Sequence, residues 1–207
     1  MIYGLTNESK RIKAAPGVKA QCPSCKEDLI PKCGEIRVWH FAHHSIEDCD
    51  AWHQTETEWH IDWKNLFSIA EQEIYLGQHW ADVKCNGIVI EFQHSAISEI
   101  EIRDREHFYQ KMIWVLDATQ WDFKWQAIES LDRERFYIVF WLDKLLSAWR
   151  RACAPILFHM GGKEIIWVRD IDWSNGYGTG IYIRQDFLIE RFGKGNFERP
   201  TNNLYKK

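Results

Sequence analysis

The sequence predicts a mixed α/β fold with a core running α-β-β-β-α-β, a small cysteine- and histidine-rich module before it and a β-rich extension after it. Three observations carry that expectation. Two β-prone runs, 81–85 and 88–93, flank Asn86-Gly87, the strongest short hairpin signal, because a type I′ turn needs positive φ at both central residues. Apolar residues recur at helical spacing on either side of that hairpin. Sulfur and imidazole groups crowd into residues 22–49 behind a Cys-x-x-Cys opening and thin out afterwards. The domains are accordingly placed at 1–53 (arm and module) and 54–207, the latter split into a core over 54–118 and an extension over 119–207.

Residues 1–19 read as a short strand or arm ending at the connector Pro16-Gly17. Cys22-Pro23-Ser24-Cys25 then has the spacing of a zinc knuckle, whose two thiolates bind tetrahedrally at about 2.3 Å. A hairpin turning near Lys32-Cys33-Gly34 brings a second ligand pair alongside. That pair is drawn from His40, His43 and Cys49, with Cys33 a further candidate, so four of Cys22, Cys25, His40, His43 and Cys49 are expected to hold Zn²⁺. A closed four-ligand site in so small a module contributes folding energy and does no chemistry.

Residues 55–73 are expected to form a helix in which Trp59, Trp63, Leu66, Phe67 and Ala70 make one apolar face, opened by a Thr55/Glu58 capping box. The same wheel sets Glu56 near the middle of that face and His60 at its margin. A carboxylate aimed at a sheet needs a partner, so Glu56 and His60 are candidates for a site; a Glu in the first turn is also favoured by the helix dipole alone. Residues 74–76 read as a strand, and the hairpin follows.

Pairing about Asn86-Gly87 sets Asp82 opposite Glu91, and strand alternation puts Gln93 on the face of Glu91. Directly opposed residues have Cβ atoms roughly 4.5–5.5 Å apart, where like charges repel. Two carboxylates kept there call for a cation or a shared proton. Hard oxygen ligands of this kind suit Mg²⁺ or Mn²⁺ polarising a phosphodiester and activating water. The plain alternative is a half-exposed hairpin whose polar face happens to carry acids.

Ser98 and Glu101 cap a second helix to about residue 112, carrying Arg103, Arg105, Tyr109 and Lys111, and 113–116 is a continuous apolar run that fits a buried strand beside the hairpin. Residues 117–134 read as a polar, Trp-bearing insertion. Strands are expected over 136–142, 156–160 and 164–168, with a helix over 143–153, a plain turn over 175–180 and a frayed tail after Gly193.

A net charge of −4 and a pI near 6.1 exclude a global field for nucleic acid, so binding must be local. Twelve tryptophans serve mainly as core. Six cysteines without a leader peptide, and no run of membrane-spanning length, point to a reducing cytoplasmic setting and no membrane partner.

The order CPSC, HFAH, ETEWH with Lys64, ADV, EFQHSAIS and REHFYQKMIWVLD resembles the CoiA-like competence protein family over roughly residues 20–118. That resemblance implies a PD-(D/E)XK restriction-endonuclease-like core with an N-terminal zinc-binding module, and metal-dependent hydrolysis of DNA. It implies Asp82, Glu91 and Gln93 as the nuclease signature and Glu56 as the acid from the first helix; His60 or His94 is expected to assist proton transfer. Gln93 stands where the wider superfamily usually has Lys; an amide can orient water but carries no charge. Arg105, Tyr109 and Lys111 are the expected nucleic-acid contacts. Single-stranded incoming DNA is the favoured partner, with recombination or defence proteins beside it. The alternative is a zinc-containing DNA-binding adaptor that has lost turnover.

Overall fold

The computed structural model describes residues 1–35, 38–44, 49–50, 52, 57–132, 135–142 and 147–193. The fold is mixed α/β and mostly β-sheet, and it divides into two compact units, Met1–Lys84 and Cys85–Lys207. Among the described residues no helix is long and apolar enough to cross a membrane.

In the first unit, β1 (Tyr3–Leu5), β2 (Arg11–Lys13), β3 (Ala20–Gln21), β4 (Asp28–Lys32) and β5 (His40–Ala42) form an antiparallel sheet in the order β2-β1-β3-β4-β5. The expected hairpin near Lys32-Cys33-Gly34 is present, with Lys32 opposite His40. Gly4 is needed at its place in β1, because a Cβ there would lie 2.6 Å from that of Ala20.

Helix α1 (Glu58–Lys64) is shorter than the expected 55–73. Thr57, not Thr55, is its N-cap, accepting from the His60 N–H, and Asn65 ends it; Thr55 and Glu56 lie outside the described residues. Ser68 and Glu71 then close a reciprocal capping box on a short 3₁₀ turn, Ile69–Glu71, and β6 (Gln72–Tyr75) begins where the helix was expected to continue. Tertiary demand overrides the helical period here. Glu73 sits at φ 45° within β6, uncommon for a residue with a side chain. It is held there by what it binds. Its carboxylate accepts from Ile2 N at 2.8 and 3.1 Å, from Tyr3 N at 3.1 Å and from Lys64 Nζ at 3.0 Å. Lys64 is fully buried and Glu73 nearly so, and Ile61 packs with Ile2 and Tyr3. These ties join β1 to α1 and β6, so the unit holding the cysteine module extends past residue 53.

Strand β7 (Trp80–Cys85) pairs with β6, and its burial alternates along the strand. It leads through Asn86 (φ 50°) and Gly87 (φ 79°) into β8 (Ile88–Gln93). Both residues therefore have the backbone that a type I′ turn requires.

In the second unit, α2 (Glu99–Tyr109) connects β8 to β9 (Met112–Asp117), which runs parallel to it. Ser98 caps α2 by accepting from the Glu101 N–H. Every residue of β9 is buried, as its unbroken apolar run predicts. The order α1-β6-β7-β8-α2-β9 matches the expected α-β-β-β-α-β sequence of elements. The extension adds β10 (Phe123–Ser130), β11 (Phe136–Leu142), β12 (Ile156–Gly161), β13 (Glu164–Asp172) and β14 (Tyr177–Arg184), giving the order β10-β11-β14-β13-β12-β9-β8 in this unit, before helix α3 (Gln185–Gly193).

The expected turn over 175–180 is corrected: most of it belongs to β14. Its glycines are there for close packing, since a Cβ on Gly178 would strike the Phe140 ring and one on Gly180 would lie 2.8 Å from Trp167 O. The polar insertion carries β10, and the described part of the helix expected over 143–153 is a 3₁₀ turn, Ser147–Arg151. The tail after Gly193 lies outside the described residues.

Burial alone would raise the pKa of Glu73, but the Lys64 ammonium, the chain's amino terminus and the Ile2 N–H outweigh it and hold it at about 2. A carboxylate depressed below its ordinary 4.5 contributes stability that is present above that value and lost as pH falls towards about 2. Glu73→Gln should therefore cost about 3–5 kcal/mol at neutral pH, because it removes the charge bound by buried Lys64 and by the Ile2 and Tyr3 N–H groups. Unfolding by denaturant across pH should show the gap between wild type and variant narrowing below pH 4.5; a pH-independent gap would reject the pair as its source.

Candidate metal centre and carboxylate sites

The sequence Cys22–Lys26 turns back on itself through Cys22 N–H to Glu27 O (2.8 Å) and Lys26 N–H to Cys22 O (3.0 Å), while Ser24 N–H points at Cys22 Sγ (3.4 Å). His43 follows β5, and Cys49 completes a group in which the ligand atoms of Cys22, Cys25, His43 and Cys49 all lie within 4.8 Å of one another. Cys22 Sγ and Cys49 Sγ are 3.8 Å apart, the edge expected of a tetrahedron with metal–sulfur distances of about 2.3 Å.

The electrostatics agree with a donor set of this kind. His43 Nε2 is buried with no hydrogen-bond partner, an arrangement that calls for an ion or water. Burial pushes the His43 pKa down, which keeps the imidazole neutral and its lone pair available. Burial first, and then the neighbouring thiols, push Cys49 up to about 12 and raise Cys22; a bound cation reverses that preference by favouring thiolates. The group can hold a metal ion such as zinc. His40, one of the five expected candidates, lies outside it: its Nδ1 is bonded to Val38 O at 2.8 Å. Cys33 instead packs against the apolar cluster of Met1, Leu29 and Phe41.

The expected catalytic residues fall in both units. Asp82 is half-buried in the middle of β7, and His60 is buried at the start of α1, its Nδ1 2.7 Å from Thr57 Oγ1. Glu56 lies outside the described residues. In the second unit Glu91 is 2% exposed and Gln93 4%. Glu91 Oε2 accepts from Arg105 Nη1 at 2.6 Å, and Arg105 Nη2 also binds Glu101 Oε1 at 2.6 Å. Gln93 Nε2 donates to Ser95 O at 2.8 Å.

Arg105 and Tyr109 are the α2 residues expected to reach a phosphate or the metal shell. Both face the interior, Arg105 at 4% exposure and Tyr109 at 8%, because a buried Glu91 needs a cation. Lys111 is exposed. Three further groupings were not expected. One is Lys64 with Glu73. Another is Asp50, whose carboxylate accepts from His79 Nδ1 at 2.7 Å and Trp80 N at 2.8 Å. The third is His94 with Asp117, whose Oδ2 accepts from His94 Nδ1 at 2.6 Å while Thr119 donates twice to Oδ1. Burial works to raise the Asp117 pKa, and the Thr119 and His94 bonds outweigh it and lower it. Glu73 lies within β6, Asp117 ends β9 and Asp50 lies outside the strands, so no single period picks the three acids out.

The cysteine group makes a direct prediction. Titration with Co²⁺ should saturate at about one ion per chain with the absorption of a tetrahedral thiolate complex, and Cys25→Ser or His43→Ala should weaken it while Cys33→Ser and His40→Ala leave it intact. Stoichiometry near zero, or dependence on Cys33 or His40, would contradict the assigned ligand set.

Two family profiles match the chain. Residues 6–52 match one described as "Competence protein CoiA, N-terminal domain", the stretch that carries all four metal-binding candidates. Residues 70–144 match one described as "Competence protein CoiA, nuclease-like domain", the stretch that carries Asp82, Glu91, Gln93 and Arg105. No curated protein and no solved structure matches the chain. The two matches lie in the same order as the two sets of candidate residues and cover more than half of the sequence, and on them the chain belongs to the CoiA-like competence protein family.

Proposed function

We propose that this protein is a metal-dependent nuclease of PD-(D/E)XK type that hydrolyses DNA phosphodiester bonds, acting on incoming DNA during competence or recombination. The observation that carries the reading is the match to a nuclease-like domain over residues 70–144, which encloses Asp82 and Glu91 placed four residues either side of Asn86-Gly87. The α-β-β-β-α-β order of elements supports it.

In this reading Asp82 and Glu91 hold Mg²⁺ or Mn²⁺, with Glu56 adding a ligand or orienting the water; carboxylate oxygens are the donors these ions take. The ion supplies a polarised phosphoryl oxygen and a water of lowered pKa. Arg105 meets the charge of the buried Glu91 carboxylate through the 2.6 Å bond to Oε2. Gln93 orients the attacking water and transfers no proton, so proton movement falls to His60 or His94. Cys22, Cys25, His43 and Cys49 hold a structural Zn²⁺ that folds the N-terminal module and takes no part in hydrolysis.

A second reading, a DNA-binding adaptor that has lost turnover, is favoured by one observation: the Gln93 amide is already engaged by Ser95 O at 2.8 Å and cannot supply a charge. Labelled single- and double-stranded DNA separate the two. Wild-type protein should cleave with Mg²⁺ or Mn²⁺, single strands preferentially, and Asp82→Asn should lower the rate on the order of 100-fold, the equivalent of about 2.7 kcal/mol. Binding without cleavage in either metal would establish the adaptor, and cleavage unchanged in Asp82→Asn would reject the catalytic assignment.

A further inference from the structure

Arg103 and His107 stand four residues apart on α2, about 6 Å along its axis, and Lys111 follows just beyond the C-cap Gln110, so the three make a short basic stripe. The stripe lines a cleft of about 760 Å³ whose other walls are Asn86-Gly87-Ile88, Met112 and Cys153-Ala154-Pro155. A hollow of that size accommodates a ligand.

Its charge is what sets it apart. Glu106 is the acidic side chain lining the cleft, and both of its oxygens are engaged: Oε1 accepts from Trp114 Nε1 at 3.1 Å and Ala154 N at 2.9 Å, and Oε2 from Cys153 N at 2.8 Å. Among the described residues no carboxylate forms an ion pair with Arg103, His107 or Lys111. The cleft thus sets Arg103 and Lys111 against the one carboxylate of Glu106, whose oxygens are turned to N–H donors of the wall, and a chain of net charge −4 carries a net positive lining here that attracts anions. Cations in a last helical turn also offset the helix dipole; that accounts for their charge and not for the hollow they line. Arg presents a planar fork to phosphate oxygens and Lys a point charge, the two ways side chains hold phosphate.

We propose that this cleft seats the backbone phosphates of a nucleic-acid strand, with Arg103 and Lys111 holding separate phosphates and His107 between them. Ile88, which lines the cleft, is three residues from Glu91 along β8, about 10 Å, so a strand held here lies within a few nucleotides of the acid assigned to hydrolysis. The destination of the strand rests on the nuclease reading; the phosphate contacts do not.

The test is equilibrium binding of a labelled single-stranded oligonucleotide to the full-length protein across a salt series, without added Mg²⁺ or Mn²⁺ and without chelator. The double variant Arg103→Gln/Lys111→Gln should bind about tenfold more weakly and reduce the slope of log K against log salt by about 1.4, since each lost phosphate contact removes roughly 0.7. Lys19→Gln/Lys124→Gln, which removes the same charge from exposed positions elsewhere, should change neither. Equal effects in the two double variants, or none in the first, would overturn the proposal. So would pyrophosphate binding that depends on Arg103 and Lys111 while oligonucleotide binding does not, which would assign the cleft to a free phosphate compound. Failure of the nuclease reading is seen separately, as cleavage indifferent to Asp82→Asn, with the binding comparison still valid.

Discussion

A charge taken out of water must be met by another, and that requirement organises both units of this protein. Glu91 is almost wholly removed from solvent within β8, and Arg105 reaches it from α2 at 2.6 Å. In the N-terminal unit Glu73 and Lys64 do the same at 3.0 Å. Neither pair is evidence of high stability, since well-packed apolar residues often serve as well. Their significance is positional. Each buried carboxylate is bound by a cation from another element, so the elements that carry them are tied in register: β8 to α2 in one case, and β1 and β6 to α1 in the other.

Two kinds of donor set lie along the chain. Cys22, Cys25, His43 and Cys49 are soft or borderline donors brought within 4.8 Å, suited to a closed tetrahedral ion that stabilises a small module. Asp82, Glu91 and Gln93 offer hard oxygen donors next to a type I′ turn, which under the proposed nuclease reading would take an ion that exchanges water and meets substrate. The first set lies in the stretch matching the N-terminal domain of the family and the second in the stretch matching its nuclease-like domain. Under that reading Gln93 brings an amide and no positive charge to the second set.

Much of the fold was legible in the sequence where a period or a turn rule speaks directly. Asn86-Gly87 has the positive φ at both residues that its dipeptide predicts, β9 is buried throughout as its apolar run predicts, and Ser98 caps α2. The metal ligands were legible as a cluster, though choosing His43 and Cys49 over His40 needed the β4–β5 pairing, which turns His40 towards Val38 O. What could not be read were places where a distant contact decides. The period of α1 runs on past Lys64, yet Glu73 is claimed by the Ile2 and Tyr3 N–H groups and becomes part of a strand. Gly178 and Gly180 look like turn residues, yet they lie within β14 because Phe140 and Trp167 leave no room for a Cβ. Arg105 looks like a surface cation on a polar helix, and only the burial of Glu91 shows why it turns inward.

The claim on which the functional reading depends is that Asp82 and Glu91 share one divalent cation. Diffraction from crystals soaked in Mn²⁺, recorded near the manganese absorption edge, tests it without recourse to activity. An anomalous peak bound by both carboxylates is the predicted result. Manganese bound to neither, or to one of them alone with the other turned away, would contradict it.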